Sequence, residues 1–592
     1  MVTVGLSPWA KSVVLHRIIG AMASFGSTYK AQERAHILEE NKMKRRNLLL
    51  GLSVVVLSLF VLIACGDGAT SDDDVTVLTF FHADGNLDMN FDDAVAQEIT
   101  RRTGVRLEIT APMAGDESTD IALMIAQGEF PDLIYAKSSI DVLIGAGAIL
   151  RLDDLIAERG DHIRTLYGDL LGRLRHTLEQ PYTYHLGTFG VNQMIHETSG
   201  TAQIQMSAMR ELGFPTLESL DDFADAIRTY MELNPTINGQ DTIGLSLLGS
   251  DWRWFITVGN PAGFALGYQD DGEWVINEET GEATFKYLLP EFREYFRWLN
   301  QMNAEGILDP ESFTHTPDTY FAKIASGRVV AVMDQDWNIS DTQTALRAGG
   351  DEWREFMPLG VTLDPETTPM STRSGGFLGG WGMSIAADSP NAEVAFDFMN
   401  WMASEEAQIL LNWGIEGVHH EYVDGVRQFL PDVAEDRRSN PNFAMETGIG
   451  LYMDGFPQWG NAAIDSSGNS ISGDNLDTMI ENFSDAQRET LAAFDAEIFV
   501  DLFPPSAELG IPRHGQAWAL PIPSGSNLEL IETRAIDFSQ QAIVQAILAA
   551  PEDFDVAWDA VIDGLIDLGI EEANAEMTQI VRDTIALWEG QY

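Results

Sequence analysis

A chain of 592 residues with a single cysteine must hold its fold without a disulfide and without a thiolate metal site. Packing alone has to do that work. The cysteine, Cys65, closes the run MKRRNLLLGLSVVVLSLFVLIAC at residues 43–65. Lys44, Arg45 and Arg46 give the run a basic start, and Leu48 to Ala64 is uncharged and apolar. This is the layout of an export signal. The competing reading, an uncleaved anchor, stands at the short limit of a span, because a bilayer core takes about 20 apolar residues. On either reading the bulk of the chain is exported and tethered to a membrane. Residues 1–42, ahead of Met43, have no clear periodicity and read as an over-extended leader outside the fold.

About 530 residues follow Cys65, enough for two or three domains with a sizeable core. Hydrophobic residues make up 45% of the chain, with 14 Trp and 29 Phe, which excludes a disordered polymer. The net charge of −56 excludes nucleic acid as a partner, since like charges repel and no basic patch offsets them. Two readings of that charge compete: adaptation to salt or alkaline surroundings, and recognition of a cationic ligand. The acidic residues are spread along the chain rather than clustered, which favours the first.

Residues 65–74 (CGDGATSDDD) form a polar, flexible tether. Val75–Phe81 predicts a buried strand, Asn90–Thr103 a helix with Phe91, Val95 and Ile99 on one face, and Gly104 its C-cap. Val105–Thr110, Ile121–Ala126 and Leu133–Tyr135 continue as strand, helix and strand. A β-α-β-α-β order points to a parallel α/β sheet, whose ligands sit at the carboxyl ends of the strands. Further on, Trp274–Phe285 predicts a hairpin, Tyr287–Asn303 an amphipathic helix, Glu393–Leu411 one long helix, and Ile531–Trp588 a helical tail.

The Leu62-Ile63-Ala64-Cys65 ending resembles a bacterial lipoprotein box, cut before the cysteine, whose sulfur then takes the lipid. Gly128-Glu129-Phe130-Pro131-Asp132-Leu133-Ile134 resembles a signature of family 1 extracellular solute-binding proteins. So do Gly147–Leu155, Leu212–Leu217, Gly306–Phe313, Gly379-Gly380-Trp381-Gly382 and Asn391–Trp401, in the family's order. The resemblance spans most of the chain after Cys65 and is nearest to the large lipoprotein branch that binds oligosaccharides. It implies an α/β, two-lobe, type II binding-protein fold, each lobe a mainly parallel sheet flanked by helices, with a helix-rich C-terminal part. By that analogy residues 75–185 and 365–412 make the N-terminal lobe, and 190–360 and 413–592 the C-terminal lobe. Tyr182–Gly190 and Val361–Glu366 would be the crossings. The implied function is a lipid-anchored receptor, monomeric, at the outer or periplasmic face of the cell membrane. It would close on a solute, most readily an oligosaccharide, and deliver it to an ABC permease. The alternatives are a surface-anchored polysaccharide-degrading enzyme and a receptor for peptides or another solute.

Sugars are held by stacking on aromatic rings and by planar hydrogen-bonding groups. Four places offer both or lie at a strand's carboxyl end. They are His82 and Asp84 in the loop through Asn86; Lys137 and Ser138; Trp252, Arg253 and Trp254; and Asp336 and Trp337. Trp337 resembles in position a family tryptophan that stacks on sugar. Trp381 and Trp459 are further candidates. For each tryptophan the competing reading is a core residue, for His82 a surface histidine, and for Asp84 and Asp336 a solvated carboxylate. The segment Asn234–Asp241 resembles the relatives' calcium loop, with Asn234, Asn238 and Asp241 as weak ligand candidates. Asn stands where the first acid should be, so the charge count is low and a degraded site is expected. No cofactor is otherwise implied. No Gly-x-Ser-x-Gly elbow, His-Glu-x-x-His or P-loop occurs. His419 and His420 are adjacent, and neighbouring side chains point apart.

Overall fold

Two mixed sheets frame the chain. They lie within residues 75–590, which the computed structural model describes except for 86–88, 113–116, 199, 441 and 474. The export signal, Cys65, the tether to residue 74 and Asn86 lie outside the described residues. The strands are β1 (Thr76–His82), β2 (Val105–Thr110), β3 (Leu133–Tyr135), β4 (Leu186–Gly187), β5 (Thr201–Gln205), β6 (Ile243–Ser246), β7 (Val329–Asp334), β8 (Phe356–Leu359) and β9 (Gly382–Ile385). The first sheet runs β2-β1-β3-β9-β4 and the second β8-β5-β7-β6.

In the first sheet β1 pairs parallel with β2 and β3, whereas β9 enters antiparallel to β3 and β4. In the second, β7 is parallel to β6 and antiparallel to β5, and β8 is antiparallel to β5. Each sheet is mainly parallel, as expected, with one strand reversed: β9 in the first and β5 in the second. The reason is connectivity: β5 and β9 each arrive from the other lobe rather than from a crossover helix on their own. Two crossings join strands of the two sheets, residues 188–200 between β4 and β5 and 360–381 between β8 and β9, and a third passage leads from Phe456 of the first core to Ala486 of the second. The first starts later than the expected Tyr182–Gly190, because residues 186–187 still pair in the first sheet, and the second contains the expected Val361–Glu366 and runs on to β9.

Helices follow local chemistry. Helix α1 (Ala94–Thr103) starts four residues later than expected because the Asp93 side chain accepts from the Ala96 N–H at 2.9 Å. It ends at Gly104, whose φ of 69° is left-handed. Phe91, outside the helix, packs its buried ring on Tyr452 at 4.8 Å. The expected helix Glu393–Leu411 is two, Ala392–Met402 and Glu405–Trp413. Ser404 breaks it by capping the second one, accepting from the Ala407 N–H at 3.1 Å. Helix α2 (Pro290–Ala304) and the tail helices α3 (Asn527–Leu548), α4 (Phe554–Asp567) and α5 (Ile570–Trp588) bury one face each in the second lobe.

The first-lobe core joins Leu78, Phe80, Val95, Ile99, Leu107 and Leu133 to Phe396, Met399 and Leu411. It also contains Phe443, Ile449, Tyr452 and Phe456. The chain beyond 413 therefore stays with the first lobe before it returns to the second, whose core takes Ala486 and the tail. This corrects the expected assignment of all of 413–592 to the C-terminal lobe. No helix among the described residues is long and apolar enough to cross a membrane.

Asp93 ties the returning segment to α1, because the Tyr452 hydroxyl donates to its second carboxylate oxygen. Asp93→Ala should remove both the cap and that bond and cost about 1–2 kcal/mol. A lower urea midpoint is expected, and an unchanged one would contradict the role.

Candidate functional site

The two crossings join like edges of the sheets. The carboxyl ends of β1, β3 and β4 and the start of β9 lie on one edge of the first sheet. The carboxyl ends of β6, β7 and β8 and the start of β5 lie on one edge of the second. Strand ends of one lobe are thereby brought to face strand ends of the other, as the position of a ligand in an α/β fold requires.

On the first lobe β1 ends in His82, which is buried, not the surface histidine of the competing reading. Its ring meets Tyr135 edge-on at 5.4 Å, and its Nδ1 lies 3.2 Å from the Asp84 N–H, which donates to it. Burial lowers its pKa to about 4, so it is neutral at ordinary pH. Asp84 is exposed and pairs with the Lys137 ammonium at 2.8 Å. Lys137 has a φ of 49°, uncommon for a side-chain-bearing residue, and holds its Nζ 4.7 Å from the centre of the Trp381 ring. Asp454 stands in the same field: surrounding protein raises its pKa, Asp84 raises it further and Lys137 opposes. Ser138 is exposed, with its hydroxyl 3.4 Å from Glu117 Oε1, at the outer limit of a hydrogen bond.

Trp381 also begins an aromatic cluster that spans the lobes. It lies 5.3 Å from Trp518 and 6.0 Å from Phe189, and Phe189 lies 6.1 Å from Trp518. Trp518 follows Ala517 of the second-lobe core, whose N–H donates to the buried Asp271 at 2.8 Å. The Trp518 indole N–H is buried and has no partner among the described residues.

On the second lobe Trp252 and Trp337 are 51% and 58% exposed, far above ordinary tryptophans. Their rings are parallel within 8° at 6.1 Å. Arg253 lies 4.7 Å over Trp252 and is fixed by Asp251 at 2.7 Å and Asn338 at 3.2 Å. Asn338 donates to the buried Asp334 carboxylate at 2.9 Å, which also accepts from the Tyr320 hydroxyl at 2.8 Å. The exposed pair is thus held by a polar chain rooted in the core. Asp336 is half-buried and accepts from Gln203 Nε2 at 3.0 Å.

Two candidates belong elsewhere. Trp254 is fully buried in the second core, and its N–H donates to the Tyr287 hydroxyl at 3.2 Å. Trp459 packs against the first core, and its N–H donates to the Ala403 carbonyl at 3.1 Å. The backbone of Trp459 bridges to Val191, so this residue anchors the first crossing. Phe189, Trp518 and Asp454 were not legible as site residues. None carries a motif, Trp518 sitting in a single 3-10 turn (Ala517–Ala519) and the other two in irregular segments, and only the fold brings them beside Trp381 and Lys137.

The segment Asn234–Asp241 contains a short hairpin, Thr236–Ile237 with Gln240–Asp241. Asn234 Nδ2 donates to Glu211 Oε2 at 2.9 Å and Asn238 Nδ2 to the Ser326 carbonyl at 3.3 Å, while Asp241 is exposed. Calcium takes about six to eight oxygen ligands, and the three candidates offer one carboxylate and two amide oxygens. His419 Nδ1 accepts from the Ile415 N–H and His420 Nδ1 faces the Trp413 carbonyl, so both are spent on backbone. Among the described residues no group of three or more His, Cys, Asp or Glu gathers as a metal site would need.

Residues 94–413 match the family described as bacterial extracellular solute-binding protein. The chain is 23% identical over 408 residues to the fructooligosaccharide ABC transporter substrate-binding protein FusA of Streptococcus pneumoniae, covering 63% of this chain and 72% of FusA. It is 19% identical over 346 residues to the lipoprotein LipO of Bacillus subtilis, covering 55% of this chain and 64% of LipO. A solved HMO-binding ABC-transporter-associated solute-binding protein from Bifidobacterium longum infantis superposes with a TM-score of 0.63. It is 14% identical and covers 87% of this chain and 99% of that one. That likeness shows the fold, which is the two-lobe type II arrangement expected from the sequence.

Burial pushes the carboxyls of Asp334 and Asp336 up to about 7. For Asp336 the Glu197 charge adds to burial, while hydrogen bonds from Tyr320 and Asn338 hold Asp334 down. A folded pKa above the usual carboxylate value of about 3.9 gives stability that is full below that value and is lost as pH rises through 7. His82, shifted the other way, has given its full contribution above about pH 7.5. The melting temperature should therefore fall between about pH 4 and 7, with His82 offsetting part of the fall below about pH 6.5, and level off above about pH 8; Asp334→Asn should flatten part of that fall. An equal fall in the variant would contradict the assignment.

Proposed function

Because the chain belongs to the bacterial extracellular solute-binding proteins, we propose that it is an oligosaccharide receptor of an ABC importer that closes two lobes on its ligand without altering it. The observation that carries the reading is the exposed parallel pair Trp252 and Trp337 on the second lobe, together with Trp381 and Trp518 between the lobes. Exposing two indoles costs hydrophobic free energy unless something covers them, and the C–H faces of a sugar do. Arg253, Asp251, Asn338 and Asp336 stand beside the pair as planar groups for hydroxyls. The fructooligosaccharide and HMO ligands of the similar proteins support this class. LipO, a lipoprotein by name, supports attachment of lipid to Cys65 and a place at the outer face of the membrane. The receptor works as a monomer in this reading, and its closed form is selected by ligand.

Titration with neutral oligosaccharides should change the intrinsic tryptophan fluorescence saturably, with no sugar consumed. Trp252→Ala and Trp337→Ala should each weaken binding about tenfold, ~1.4 kcal/mol, at an unchanged melting temperature. Turnover of the sugar, or full affinity in both variants, would contradict the proposal.

A further inference from the structure

The aromatic groups above would serve any sugar; the charged groups around them do not. Lys137 is the first-lobe cation of the site, and its ammonium is already shared between Asp84 at 2.8 Å and the Trp381 face at 4.7 Å. Asp454 reaches the same spot: the next residue, Gly455, packs its backbone against Tyr135, the ring that meets His82 edge-on, and Asp84 and Lys137 both act on the Asp454 carboxyl. Glu117 is near, facing Ser138 and Tyr135. Two carboxylates and a nearby third therefore meet one ammonium. His82 adds no charge, since burial keeps it neutral.

The second lobe repeats the pattern. Arg253 is paired with Asp251 at 2.7 Å and bound to Asn338. Asp336 lies within the field of Glu197, from the first crossing, and of Asp334. Arg173, a further first-lobe cation, is spent on the Phe377 carbonyl at 3.0 Å and the Trp588 ring at 4.8 Å. A carboxylated sugar would have to pull Lys137 from Asp84, or Arg253 from Asp251, and would leave the displaced carboxylate beside its own. Asp84 is exposed and Lys137 half-buried, so that repulsion acts at low salt and is screened as salt is added. A hydroxyl needs no such exchange: it can donate to Asp84 or Asp454 and accept from Lys137 at once.

We propose that the cluster of Asp84, Lys137 and Asp454 makes this receptor select uncharged oligosaccharides and reject uronate-containing ones. The inference rests on the carbohydrate-receptor reading and deepens it. Like charge placed against the wrong ligand is a common source of specificity.

The test uses the mature chain and calorimetric titration with length-matched tetrasaccharides: neutral malto-, cello- and fructo-oligosaccharides against oligogalacturonate and oligoalginate. At low salt at least one neutral sugar should bind, with every uronate about 100-fold weaker or worse, and added salt should narrow the gap. Asp454→Asn and Asp84→Asn should each narrow the neutral-to-uronate ratio about tenfold, whatever they do to neutral affinity, with circular dichroism confirming the fold. Uronate binding equal to or tighter than neutral binding would overturn the proposal. So would a wild-type ratio that neither folded variant moves. Binding of neither class by folded wild-type protein would remove the carbohydrate reading, and this selectivity with it.

Discussion

Everything in this molecule follows from how the chain passes between its two sheets. Strands β4 and β8 leave their lobes at one edge, and β5 and β9 enter at the corresponding edge of the other. Strand ends of both lobes are thereby gathered around one gap. With Cys65 the only cysteine, no disulfide fastens the lobes. Their relation is set by the crossings and by contacts across the gap, such as Trp381 on Trp518. That is the mechanical condition for a hinge: stiff cores on each side, few segments between.

The stiffness is built by packing and by buried polar chains. The first core takes in residues from β1 to Phe456, so a segment nearly 400 residues downstream closes the lobe that the amino-terminal strands begin. The second encloses the tail helices. Polar chains rooted in these cores end at the gap. Asp334 holds Asn338, Asn338 holds Arg253, and Arg253 lies on Trp252. An exposed aromatic side chain gains a fixed orientation in this way without being buried, which is the preorganisation a binding platform needs.

Local signals in the sequence were enough for the strands. VRLEIT and the segment around Leu133 fold as their alternation and β-branched content predict, because those signals need no distant partner. Strand direction was not legible, since β9 and β5 owe theirs to entry from another lobe. Helix boundaries failed where a cap overrode periodicity, at Asp93 and Ser404. Of the site, Trp252 and Trp337 could be read from their polar neighbours, and the same rule misled at Trp254, adjacent in sequence but turned inward. Nothing local marks Trp518 or Asp454, whose neighbours come from more than a hundred residues away.

The central claim is that two rigid lobes move together around a sugar that leaves unchanged. Small-angle X-ray scattering on the mature chain, with and without a saturating oligosaccharide, tests it most directly. The account predicts a smaller radius of gyration on binding, returning to the starting value when the sugar is dialysed away intact. An identical profile in the two states, with the sugar bound, would contradict it.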